Sequence, residues 1–245
     1  MREETTTPIA NPQRSLGGLI GGEAKLVEAT RRNDFNASLM GAVQTDAVAR
    51  AMAVLERSAT MGVIVAAPTA GSAGVVPGCV LALADHLQLD DEQVMDALYC
   101  AASIGLNLTT SACVAGAEGG CQAEVGAASA MAAAALVELR GGTAEQCAEA
   151  FAMALTNLEG LVCDPVAGLV EIPCIKRNVI GAMNAVSCAD MALAGVVGHI
   201  PADEVIDAMA EVGAAMSNDL RETGIGGLAG TPTGKAIRDI VQMQG

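Results

Sequence analysis

Apolar positions recur at helical spacing through most of the chain, and the breaks in that rhythm fall on glycine and proline. Thr45 can cap a helix running to Leu55, with Ala47, Met52 and Leu55 among its apolar positions and Arg50 and Glu56 left for solvent. Asp90 caps another, to about Ile104, and a weakly structured stretch then leads to Cys121. The run from Gln122 to Leu139 is so rich in alanine that it reads as a tightly enclosed helix. Thr143 and Gln146 make a capping box for a helix through Leu158. An apolar helix ends near Val197, Pro201 occupies a first-turn position of a helix ending near Met216, and Lys235 to Met243 close the chain. The short run MGVIVAA (61–67) fits either a buried strand or a helix end, because periodicity does not separate the two. Residues 1–16 are mostly polar, contain two prolines and read as an extended N-terminal arm. The pattern predicts an all-α fold: about nine helices, at most one strand, with residues 17–245 forming a single compact multi-helix domain.

Composition sharpens this picture. The chain has 245 residues and is 52% hydrophobic, enough for a sizeable core, yet it has no Trp, one Tyr and two Phe. The core must therefore be packed from Ala, Val, Leu, Ile and Met, and small side chains let helices approach closely. The formal charge of −15, without a basic cluster, argues against a nucleic-acid partner. The N-terminal residues carry no apolar signal-like run, so the sequence reads as cytoplasmic. Two uncharged windows, 58–84 and 97–117, are long enough to raise the question of a membrane span. Their prolines, glycines and hydroxyl groups suit buried core better than lipid. With no secretory signal read, the eight cysteines read as reduced thiols rather than disulfides.

Candidate chemistry concentrates in LVCDPVAGLVEIPCIKRN (161–178). Pro165, Gly168 and Pro173 prevent one continuous helix, so Cys163 and Cys174, eleven residues apart, belong to a loop together with Asp164 and Glu171, and Lys176, Arg177 and Asn178 follow at once. Cys121, in GGCQAEVG, has a similar glycine-rich setting. These thiols suggest a metal site, although their spacing matches neither a zinc ribbon nor a ferredoxin run. Cys79, Cys100, Cys147 and Cys188 lie on helical apolar patterns and read as small buried hydrophobes, while Cys113 is undecided. In PTAGSAGVVPG (68–78), Gly71 and Gly74 permit positive φ, and their amides with the Thr69 and Ser72 hydroxyls could form an anion-binding nest; a plain glycine turn is the alternative. GGLIGG (17–22) is backbone set to approach something closely. His86 and His199 read as surface or helix-end residues.

GGCQAEVG (119–126), CDPVAGLVEIPCIKRN (163–178), PTAGSAGVVPG (68–78) and RETGIGGLAGTPTG (221–234) together closely resemble the alpha-type catalytic part of the bacterial iron-sulfur L-serine dehydratases, from about Gly18 onward. The family's GLTGGDA motif reads GLIGGEA here (18–24), so a hydroxyl is absent at Ile20. The resemblance implies a 4Fe-4S cluster held by Cys121, Cys163 and Cys174, and an amino-acid carboxylate held by the segment containing Thr69, Gly71, Ser72 and Gly74, with Asn178 beside it. It also implies release of pyruvate and ammonia from L-serine, with a cluster iron acting as Lewis acid on the hydroxyl. A beta-type chain or domain would carry the family's histidine base, and an oligomer is expected. Lys176 is the basic side chain nearest this site in sequence that could lose its charge by burial, which makes it the candidate base of the chain itself. A related lyase acting on threonine or cysteine, and a non-catalytic iron-sulfur protein using Cys113 as fourth ligand, are the competing readings.

Overall fold

The structure, a computed structural model, describes residues 1–31 and 38–244. Among the described residues it contains eleven α-helices and no strand: α1 (Arg2–Ala10), α2 (Glu23–Arg31), α3 (Ala42–Ala59), α4 (Val75–Leu87), α5 (Asp91–Ser111), α6 (Gly116–Gly119), α7 (Ala127–Leu139), α8 (Ala144–Thr156), α9 (Cys174–Leu193), α10 (Ala202–Ala215) and α11 (Pro232–Gln244). The fold is all-α, as the periodicity predicts. One isolated bridge pairs Cys163 with Arg221.

The alanine-rich α7 is the centre of the molecule, packed by α4, α5, α8 and α9. Every residue from Ala127 to Val137 is buried, and side chains this small allow neighbouring helices on all sides. Enlarging one of these alanines to leucine would overpack the site by about 1–3 kcal/mol. A second, smaller apolar cluster joins Ile20, Met52, Leu55 and Ile175 around α3. The first turn of α9 thus belongs to the α3 cluster, while its later residues Ala182, Ala185 and Ala189 belong to the α7 core.

The capping boxes at Asp90–Gln93 and Thr143–Gln146 are both made, and the helix begun at Asp90 runs on to Ser111. Thr45 does not cap α3. That helix starts at Ala42 after Gly41, and Thr45 is buried inside it, its hydroxyl donating to the Gly41 carbonyl at 3.0 Å. Residues 2–10 are a helix rather than extended. Burial of Thr5 and Pro8 and acceptance of the Val65 amide by Glu4 at 2.9 Å tie α1 to its surroundings. The 61–67 run is neither strand nor helix: Met61 adopts φ 63°, the Gly62 amide donates back to the Arg57 carbonyl at 2.9 Å, and Val63 is 84% exposed. The stretch Ala70–Leu87 is long and apolar enough to cross a membrane, but 72% of it is buried inside the protein, in accord with a core role.

Candidate functional site

Of the stretch 161–178 read as a loop, only residues 161–173 are one, because α9 begins at Cys174; backbone and side-chain bonds both hold it. Cys163 is held between strand-like partners, its amide donating to the Leu220 carbonyl at 2.8 Å and its carbonyl accepting from the Glu222 amide at 2.7 Å. Arg177 is nearly buried and pairs with Asp164 at 2.7 Å, donates to the Val162 carbonyl at 2.6 Å, and places Nη1 3.5 Å from the Cys121 sulfur. Asp164 also accepts the Leu228 amide at 2.6 Å, drawing the 221–231 loop over the site. Gly227, at φ 56°, passes so close to Asp164 that any β-carbon there would collide with the carboxylate. Removing one partner of this buried pair would cost about 3–5 kcal/mol, because the other charge would stay buried alone.

Cys121 reaches the same place through Gln122. The Gln122 amide donates to the Leu161 carbonyl at 2.9 Å, and its side chain links the Met209 carbonyl (2.9 Å) to the Gly160 amide (2.8 Å). Residues Gln122–Gly126 form a π-turn before α7, a widened turn often found at functional sites. It carries Glu124, whose carboxylate lies with the Cys121 and Cys163 sulfurs in a group spanning at most 4.8 Å. Sequence reasoning missed Glu124; the available signal was an acid inside an otherwise enclosed, alanine-rich run. Thr69 donates to Glu124 at 2.7 Å, Ser72 lies 3.1 Å from the Thr69 hydroxyl, and a β-carbon at Gly116 would meet both Glu124 and Cys163.

The charges are unequal. Cys121 is the thiol that ionises first: hydrogen bonding from Cys163 lowers its pKa, and the Arg177 guanidinium acts in the same direction. Cys163, as the donor of that pair, is driven upward. Cys174, the first residue of α9, is pushed up to about 12 by burial, with the charges of Cys121 and Glu124 adding to the effect. Burial raises Glu124 as well, partly offset by the Thr69 hydrogen bond. Cys121, Cys163 and Glu124 form the tightest group, and Cys174 stands outside it, where the charges of Cys121 and Glu124 act on its thiol. Cys113 is half-buried and lies outside that group.

Several expected site residues have structural roles instead. Asn178 is fully buried, and its amide is used within the protein: it donates to the Gly71 and Cys174 carbonyls at 2.8 and 3.0 Å and accepts the Gly74 amide at 3.1 Å. It fastens the 68–78 loop to α9 and has no donor to spare for a substrate. Gly74, at φ −81°, is the N-cap of α4, and neither it nor Gly71 adopts positive φ. Its glycine identity is explained by contact with the Ala51 carbonyl, which leaves no space for a β-carbon. Gly71, Thr69 and Ser72 do face the site, where the carboxylate they meet is Glu124. Lys176 is exposed, one helical step away from the buried Cys174, Arg177 and Asn178, so it is not the buried lysine that a base would require. His86 and His199 are exposed. Glu171 is turned to the N-terminal segment, accepting from the Ser15 hydroxyl (2.7 Å) and the Gly17 and Leu19 amides (2.9 and 3.1 Å). It is what the 17–22 glycine segment closes around.

An all-helical core presenting buried thiols, a guanidinium and hydroxyls from converging loops defines a class: helical proteins with a loop-built, thiol-lined site. Residues 1–229 match the family described as Serine dehydratase alpha chain. The chain is 56% identical over 223 residues to the probable L-serine dehydratase, alpha chain, of Bacillus subtilis, covering 91% of this chain and 74% of that one. It is 58% identical over 196 residues to the corresponding probable alpha chain of Latilactobacillus sakei (80% and 94% covered) and 51% identical over 201 residues to the L-serine dehydratase, alpha chain, of Peptoniphilus asaccharolyticus (82% and 69% covered). The chain belongs to the serine dehydratase alpha-chain family.

Proposed function

We propose that this chain is the catalytic alpha subunit of an iron-sulfur L-serine dehydratase, acting in the cytoplasm with a beta-type chain or domain. The observation that supports the reading is the approach of the Cys121 and Cys163 sulfurs to within 4.8 Å of each other, with Cys174 also buried and Arg177 against Cys121. The donor set fits a 4Fe-4S cluster: three thiols from separate segments, a cation to balance their charge, and burial that excludes water. When bound, a cluster held by three protein sulfurs supplies an open iron, which is a Lewis acid toward a substrate hydroxyl. Two thiolates and Glu124 are a weaker match, since carboxylate oxygen suits harder cations.

The protein's own groups divide the remaining work. Thr69, Ser72 and the backbone at Gly71 are the proposed contacts for the amino-acid carboxylate, with Gly74 and Asn178 holding that loop in register. Glu124 is a positioning residue that accepts the Thr69 hydroxyl proton, so Thr69 contacts a substrate carboxylate by turning that proton from Glu124 to the substrate. Since both histidines and Lys176 are exposed away from these contacts, removal of the Cα proton falls to the beta-type partner. A positioned base is worth roughly a hundred to ten-thousand-fold in rate. The anaerobically reconstituted chain should therefore bind serine and release pyruvate slowly or not at all until the partner is added. Release of pyruvate from serine and of 2-oxobutyrate from threonine, with and without the partner, is the test. Full turnover by the isolated chain would place the base within it, and preferred release from threonine would change the substrate.

A further inference from the structure

Away from this site, Cys100 on α5, Glu138 near the end of α7 and Cys147 on α8 bring their ligand atoms within 4.8 Å of one another. None of the three lies on the loops that carry Cys121, Cys163 and Cys174. Their spacing is set by regular helix packing, since α5 and α8 both lie against α7. Cys147 is buried, its thiol hydrogen-bonded with Cys100 and 3.6 Å from the Ala134 carbonyl; Cys100 is half-buried and Glu138 exposed. A cavity of about 380 Å³ opens over them, also lined by Ser103, Asn107 and Asp203. The arrangement is thus graded from a buried sulfur to a solvent-facing carboxylate, with room and polar partners beyond.

We propose that Cys100, Glu138 and Cys147 form a second metal site, separate from the catalytic one, that takes a thiophilic divalent cation of the zinc class with water as fourth ligand. Two sulfurs select against magnesium and calcium, which take oxygen. In a tetrahedral zinc site, bonds of about 2.3 Å to sulfur and about 2.0–2.2 Å to oxygen set ligand atoms somewhat under 4 Å apart. Closing a 4.8 Å group to that size calls for rotation of the three side chains. Binding displaces a proton from each thiol and leaves one negative charge on the two thiolates, the carboxylate and the cation together. Because the ligands come from three helices, an ion that binds only the folded chain staples α5 and α8 to α7 and stabilises the protein in proportion to its concentration.

The test uses the full-length chain, reduced and anaerobic, titrated with cobalt(II) as a spectroscopic probe and then with zinc in competition. Because Cys121 and Cys163, grouped with Glu124, are a competing set of thiol ligands, Cys121→Ser/Cys163→Ser isolates the helical site. That variant should keep one equivalent of cobalt with thiolate charge-transfer and tetrahedral bands, lose it to zinc, and gain thermal stability with zinc. Cys100→Ser/Cys147→Ser should lose that equivalent. Glu138→Gln, a surface change that keeps the fold, should weaken cobalt binding at least about tenfold, as loss of a metal-site partner does. The proposal is overturned if Cys100→Ser/Cys147→Ser binds as much cobalt as the parent chain, if Glu138→Gln leaves affinity and spectrum unchanged, or if Cys100 and Cys147 only form a disulfide in air and bind no cobalt when reduced.

Discussion

The two thiol groups of this protein are built by opposite means. Cys121, Cys163 and Cys174 come from a loop and from two helix starts beside loops, and each segment needs its own fastening: Arg177 with Asp164, Gln122 with Leu161, and Asn178 with Gly71 and Gly74. Cys100 and Cys147 need no such devices, because two ordinary helices packed on α7 deliver them to Glu138. A loop-built site can surround a bulky inorganic centre and leave one side open to substrate. A helix-built site is narrower, takes a single ion, and stabilises packing already present. The difference predicts that polar residues around the first group matter to chemistry, whereas changes at the second affect stability alone.

The largest effect should come from Cys121→Ser or Cys163→Ser, which remove serine-dependent pyruvate release from the partnered enzyme altogether. Cys100→Ser/Cys147→Ser should keep near-parental activity, and comparable losses in both variants would erase the distinction. Next is Glu124→Ala, which frees the Thr69 hydroxyl; losing one buried hydrogen bond of about 1–3 kcal/mol lowers kcat/KM roughly ten- to hundredfold. Glu124→Gln keeps an acceptor for Thr69 and should restore most of that loss. If glutamine is as damaging as alanine, the carboxyl carries a proton and its role is more than positioning.

Asn178→Ala tests the fastening itself. It strands the Gly71 carbonyl and the Gly74 amide, so chemical denaturation should show a loss of about 2–3 kcal/mol, with activity falling through the displaced 68–74 loop. A smaller effect concerns Glu56, which the helical pattern leaves to solvent but which is buried on α3, accepting the Ala24 amide at 2.9 Å. Burial raises its pKa, and the nearby Glu23 acts in the same direction. A carboxyl whose folded pKa is raised favours folding most at pH below its unfolded pKa, and that contribution is lost as pH rises through the folded value. Glu56→Gln should therefore flatten the fall in stability across that window, as followed by thermal melts at a series of pH values. The smallest change is Lys176→Met, which should leave kcat unaltered because the side chain is exposed.

What was legible in the sequence follows the range of the interactions involved. The capping boxes at Asp90 and Thr143 close within three residues and could be read directly. The enclosed alanine-rich helix and the loop setting of Cys163 were equally visible, because composition and Gly/Pro punctuation are local signals; Cys174, read into the same loop, instead opens α9, and Cys121 leads into the π-turn before α7. The helix at residues 2–10 was not, since partners distant in the chain hold it: Glu4 takes the Val65 amide and Arg57 pairs with Glu3 at 3.2 Å. Thr45 has the chemistry of a cap, but the helix starts earlier, after Gly41, and the Thr45 hydroxyl donates back to the Gly41 carbonyl instead. Asn178 looked like a substrate contact because only the fold shows that its amide is already used. Cys100 and Cys147 fitted an apolar helical pattern and read as plain core, and no spacing rule links them to Glu138 on a third helix.

The central claim is that the loop-built thiols, and not the helical pair, hold the iron-sulfur cluster. The most direct measurement is anaerobic reconstitution with iron and sulfide of the parent chain, the single Cys121→Ser, Cys163→Ser and Cys174→Ser variants, and Cys100→Ser/Cys147→Ser, followed by iron analysis and EPR with and without serine. The account predicts a full cluster whose spectrum responds to serine in the parent and in Cys100→Ser/Cys147→Ser, and a lost or depleted cluster in each single loop variant. A full, serine-responsive cluster in any loop variant, or its loss in Cys100→Ser/Cys147→Ser, would contradict it.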